Sequence, residues 1–109
     1  MAEKFHCPVE TTLGLIGGKY KVLILWYLYN KKVLRYGELQ KILKGITPKM
    51  LISQLRGLEA DKLVERKVYP VVPPRVEYKL SELGESIIPI ILEMKKWGEF
   101  YLKNTETHK

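Results

Sequence analysis

The feature that most constrains this chain is a pair of short apolar-periodic stretches followed by an abrupt change of period. Residues 35–43 carry Tyr36, Leu39, Ile42 and Leu43 at helical spacing, and Lys44-Gly45 ends that run. Thr47-Pro48 starts a second helix: threonine can accept from the first free amides, and proline suits the first helical position, where no amide is needed. Leu51, Leu55 and Leu58 then carry the helix to about residue 61. After Asp61-Lys62 the apolar period becomes two, so 63–69 and 75–80 read as the arms of a hairpin. Pro70, Pro73 and Pro74 make 70–74 a stiff tip, poor in backbone donors and unsuited to a sheet ladder.

The flanking segments complete the layout. Residues 9–18 read as a short helix with Leu13, Leu15 and Ile16, stopped by Gly17-Gly18. Residues 20–29 are apolar on nearly all sides, which marks a central core helix, ended by Asn30 and Lys31-Lys32. From Ser81 as N-cap, one long helix is expected over 81–104, kinked at Pro89. The chain as a whole reads as a single domain, 1–109, without repeats or a linker. Helix, turn, helix and hairpin in that order predict a winged helix-turn-helix. The fold class is mainly α with a small β-hairpin wing (α+β), plus an added C-terminal helix. The recognition helix is expected at about 47–61 and the wing at about 63–80.

Charge points to the partner. Of a net +7, the segment from Lys19 to Arg56 holds nine bases against one acid, Glu38, whereas 57–109 balances at nine against nine. Such localisation is the footprint of a polyanion-facing surface, here double-stranded DNA. With about 100° per residue, Lys49, Ser53, Arg56 and Ala60 lie opposite the leucines of the second helix, flanked by Ile52. A basic face of modest bulk suits the major groove, and Pro48 and Lys49 stand in the first turn, where recognition helices meet bases. Arg35 before this unit, with Arg66, Lys67 and Arg75 around the wing, completes the expected DNA-binding set.

The last helix carries more apolar positions than one core-facing stripe needs, which predicts a homodimer. Ile88, Ile91, Leu92 and Trp97 are the candidate contacts, supported by Leu13 and Ile16 of the first helix.

Other classes fit poorly. The longest apolar run, 22–29, is far short of the about 20 residues a membrane span requires. The N-terminus has no apolar signal region, and the single cysteine, Cys7, fits a reducing cytoplasm. An enzyme is not expected: the only histidines, His6 and His108, lie near the chain ends, away from a rigid scaffold. No metal and no cofactor are expected, since His6-Cys7 supplies two ligands where structural zinc takes about four. Cys7 can be read as a thiolate redox sensor or as an ordinary residue near a mobile terminus.

The motifs CPVE at 7–10, LGLIGGKYKVLIL at 13–25, RYGELQ at 35–40, GITPKMLISQLRGLEADKLVER at 45–66 and VPPRVEYKLSELG at 72–84 resemble the HxlR-type winged helix-turn-helix regulators. The resemblance spans residues 7 to about 98, with Tyr20 and Tyr36 standing where that family often has other aromatics. It implies a homodimeric bacterial or archaeal transcription regulator, of a kind in which some members answer oxidants or electrophiles through the N-terminal cysteine. The expected function is therefore sequence-specific DNA binding. The alternatives are a winged-helix protein-interaction module without its own operator and a pocket-binding regulator without a DNA role.

Overall fold

The computed structural model describes residues 7–105. Helix α1 (Pro8–Ile16) leads into α2 (Tyr20–Lys31), and a two-residue strand β1 (Leu34–Arg35) precedes α3 (Tyr36–Ile42). Then come α4 (Pro48–Ala60), the hairpin β2 (Val64–Tyr69) and β3 (Arg75–Leu80), and finally α5 (Glu82–Ser86) and α6 (Ile88–Thr105). The winged layout anticipated from the change of period is present, with element ends within a few residues of those expected.

Local chemistry sets the boundaries. Thr47 Oγ1 accepts from the Met50 amide at 3.1 Å, capping α4, and Pro48 opens it. Gly45, at φ +89°, turns the chain between α3 and α4 in the left-handed region that glycine enters without a Cβ clash. Helix α4 closes on a Schellman-type turn: the Lys62 amide donates to the Glu59 carbonyl and the Leu63 amide to that of Leu58. Lys62 takes the left-handed position, φ 65°, usually left to glycine. That turn aims the chain from α4 straight into the wing.

The sheet has the order β1-β3-β2, all antiparallel. Strand β1 escaped the sequence reading, which began a helix at Arg35. Two residues are too few to show a period of two, and Leu34 is held by pairing opposite Tyr78. The core joins Ile24, Leu25 and Leu28 of α2 to Leu39, Leu51, Leu55 and Leu58, with Tyr78 and Leu80 supplied by the sheet.

Two expectations change in the C-terminal region. The single kinked helix is instead two helices, broken at Ile87 just before α6. Pro89 is the second residue of α6, a first-turn position where its missing amide needs no partner, so the helix restarts there instead of bending through it. Ile16, Ile88 and Ile91, expected at a dimer contact, are at most 4% exposed and belong to the chain's own core. Burying each side chain is worth about 1.5–3 kcal/mol, and two copies of α6 cannot share what one fold already encloses. Leu13 and Trp97 remain exposed, and Leu92 is half-buried.

Ser81 ties these parts together. Its hydroxyl donates to the Lys62 carbonyl at 2.6 Å and accepts from the Gly84 amide at 3.0 Å. Gly84 is buried against the Leu63 carbonyl, and an added Cβ would overlap that oxygen and press on Leu80. Gly84→Ala is therefore expected to destabilise the fold by about 1–3 kcal/mol or more through overpacking. Thermal denaturation measures this, and an unchanged melting temperature would show that the Leu63 corner yields freely.

Candidate nucleic-acid interface

Helix α4 is seated by one face and leaves the other open. Leu51, Leu55 and Leu58 are at most 1% exposed, while Lys49, Ser53, Arg56 and Ala60 face solvent and Ile52 is half-buried. Pro48, Lys49, Ile52, Ser53 and Arg56 line one shallow concavity of about 460 Å³. Five residues of the expected DNA-binding set thus share a continuous surface. Lys21 of α2 adds to the charge around α4: its ammonium lies against Gly57, where any side chain would crowd it.

The wing presents the rest. Its tip, residues 71–76, faces Arg35, Tyr36 and Gly37 across an open cleft of about 460 Å³, bringing Arg35 and Arg75 to the walls of one groove. Arg75 stacks its guanidinium over the Tyr69 ring, 4.3 Å from the centroid, and Lys67 sets its ammonium 5.0 Å from the same ring. Tyr69 and Arg75 are direct partners in the hairpin.

Arg66 departs from this arrangement. Its Nε lies 3.4 Å from Glu59 Oε1 and 3.5 Å from Glu59 Oε2, so its charge is shared with the last turns of α4. Both side chains are about two-fifths exposed, and such a pair contributes roughly 0–1 kcal/mol. It fastens the wing to the recognition helix. Beneath it, burial pushes the Tyr78 phenol above its ordinary pKa, partly opposed by the Arg66 guanidinium, so the hydroxyl stays protonated at neutral pH.

Three residues of the site went unnoticed in the sequence. Tyr36 donates its hydroxyl hydrogen bond to the Pro48 carbonyl at 3.3 Å and also lines the wing cleft, so one ring touches α4 and the cleft together. Tyr69 forms the platform under Arg75 and Lys67, which its place opposite Arg75 in the hairpin could have suggested. Glu59 holds Arg66. Tyr36 gives no such signal, because helical spacing assigns it to the core alone.

Cys7 is exposed as the N-cap of α1, and its backbone carbonyl accepts from the Glu10 amide at 2.8 Å while its side chain makes no capping bond. His6 and His108, weighed as metal ligands, lie outside the described residues. Among the described residues no three His, Cys, Asp or Glu side chains gather to hold a metal, and no helix is long and apolar enough to cross a membrane.

A helix-turn-helix with an exposed basic recognition face and an arginine-bearing hairpin defines a winged helix-turn-helix protein. The HxlR-like helix-turn-helix pattern matches residues 15–106, and the chain belongs to that family of transcription regulators. Over 95 residues it is 52% identical to the HTH-type transcriptional regulator YdeP of Bacillus subtilis, covering 87% of this chain and 73% of that one. YkvN of the same organism, also an HTH-type transcriptional regulator, is 52% identical over 99 residues, 91% of this chain and 83% of its own. Among solved structures, the redox regulator HypR in its reduced form superposes with a TM-score of 0.87 at 45% identity, covering 94% of this chain and all of that one. The reduced form of YodB from B. subtilis gives 0.75 at 32% identity, over 87% of this chain and 93% of its own.

Proposed function

We propose that this protein is a cytoplasmic, homodimeric regulator that binds sequence-specific sites on double-stranded DNA and acts by binding rather than by catalysis. The observation that carries this reading is the division of α4: every leucine of its stripe is enclosed, and Lys49, Ser53 and Arg56 stand free along one concavity. In this reading the first turns of α4 enter the major groove, with Lys49 nearest the base edges. Arg35 and Arg75 grip the backbone or the adjacent minor groove from the wing cleft, with Lys67 beside Tyr69 as a further phosphate contact.

Lys49→Ala should weaken binding to a duplex selected from random sequence by about 5- to 150-fold, the equivalent of roughly 1–3 kcal/mol of base discrimination. Binding to an unselected duplex should fall much less. Fluorescence anisotropy across a salt series measures both. A wild-type protein whose duplex binding ignores salt would instead be the interaction module.

Self-association is assigned to α6. Ile90, Met94, Trp97, Phe100 and Tyr101 are all at least 46% exposed, and Trp97 stacks on Tyr101 with ring centroids 5.4 Å apart. An exposed aromatic surface on one helix suits a second copy of the same helix, with Leu13 of α1 as a further candidate contact. Such a dimer would present two recognition helices to half-sites about one helical turn or more apart. Trp97→Glu should shift the protein to monomer in light scattering at micromolar concentration and reduce affinity for a two-half-site duplex. A dimer of wild-type strength would move the contact elsewhere.

Oxidant response is assigned to Cys7. Its thiol is exposed and not engaged in capping, and structural relatives at 45% and 32% identity are HypR, a redox regulator, and YodB, solved also after diamide treatment. Diamide should change the duplex affinity of the wild type and leave Cys7→Ser unaffected. An equal response in both proteins removes Cys7 from regulation.

A further inference from the structure

The outer face of the wing carries an acid among its bases. In the sheet register Glu77, on the central strand, stands directly between Arg35 of β1 and Lys67 of β2. Its Oε2 is also 3.6 Å from Nε of Arg75, two residues earlier on the same face of β3. The Glu77 side chain is 23% exposed, so this carboxylate sits deeper than the arginine it faces, which is 38% exposed. Arg75 Nε is shielded from water and has no hydrogen-bond acceptor among the described residues. The guanidinium is therefore held by two weaker restraints, the Tyr69 ring beneath it and the Glu77 charge beside it. Arg35 and Arg75, the two arginines flanking this carboxylate, are also the two that line the wing cleft.

We propose that Glu77 is a positioning residue for DNA recognition: it holds Arg75 on Tyr69, oriented toward the cleft whose other wall carries Arg35, and its charge penalises loose contact with phosphates. The inference rests on the DNA-binding reading above. The two effects have opposite signs. A carboxylate among phosphate-seeking arginines repels any backbone that comes near, whatever its sequence, and so lowers non-specific affinity. A held Arg75 guanidinium loses less freedom when a correctly seated duplex arrives, which raises specific affinity relative to non-specific. Glu77 thus sharpens discrimination while weakening overall attraction, something no additional base could do.

The test compares wild type, Glu77→Gln, Glu77→Asp, Arg75→Ala and the Glu77→Gln/Arg75→Ala double variant on a selected and a random duplex across a salt series. Glu77→Gln is expected to bind random duplex about three- to tenfold more tightly, as removal of a rim charge implies. Its ratio of specific to non-specific affinity should fall by a similar factor. Glu77→Asp keeps the charge but withdraws it from Arg75, so it should lose discrimination without gaining random affinity, and it serves if Glu77→Gln folds poorly. In the Arg75→Ala background Glu77→Gln should no longer alter the ratio, the coupling a positioning role requires. If wild type and Lys49→Ala differ but Glu77→Gln matches wild type on both duplexes, the proposal falls and the DNA-binding reading stands. A parallel loss on both duplexes would likewise overturn it and make Glu77 merely structural. If wild type shows no salt-dependent duplex binding, the underlying reading fails first.

Discussion

Everything functional in this chain depends on how Leu51, Leu55 and Leu58 are gripped by α2. Those side chains are enclosed almost completely against Ile24, Leu25 and Leu28 and their neighbours. A helix of 13 residues has little stability of its own in water, so this burial is what keeps α4 formed and pointed. Because the stripe is narrow, the opposite face is released for polar work. The wing inherits its direction from the same element: the turn at Lys62 leaves α4 and enters β2 directly, and Ser81 clamps that turn to the start of α5.

Much of this was legible beforehand. Thr47-Pro48 marks the helix start because capping chemistry is local, and the leucine spacing fixes which face is buried without any knowledge of the partner helix. The hairpin could be read because β3 alternates polar and apolar residues over all six positions and the proline-rich tip sets β2 opposite it. Strand β1 could not, since its existence is owed to a long-range pairing with β3 and not to its own two residues. Nor could the break at Ile87 be told from a kink at Pro89, because both obey the same local rule and the choice lies with the packing of Ile88 and Ile91.

Site residues divide in the same way. Lys49, Ser53 and Arg56 follow from one helical wheel, and the structure places them together. Arg66 sits near the wing on any reading, but its pairing with Glu59 depends on the angle between α4 and β2, which spacing does not encode. Tyr36 reaches from α3 to the Pro48 carbonyl of α4, so a single-segment pattern hides it. Of the apolar positions expected at a contact, Ile16, Ile88 and Ile91 turn inward, whereas Leu13 and Trp97 stay exposed beside Ile90, Met94, Phe100 and Tyr101.

The sheet order has one more consequence. With β3 in the middle, the open edges are β1, only two residues long, and β2, which carries Glu65, Arg66 and Lys67 in succession. Short or charged edges are poor templates for a further strand, and the prolines at 70, 73 and 74 leave the hairpin tip short of amide donors. The wing therefore resists runaway strand-to-strand stacking even where many copies crowd along one polymer.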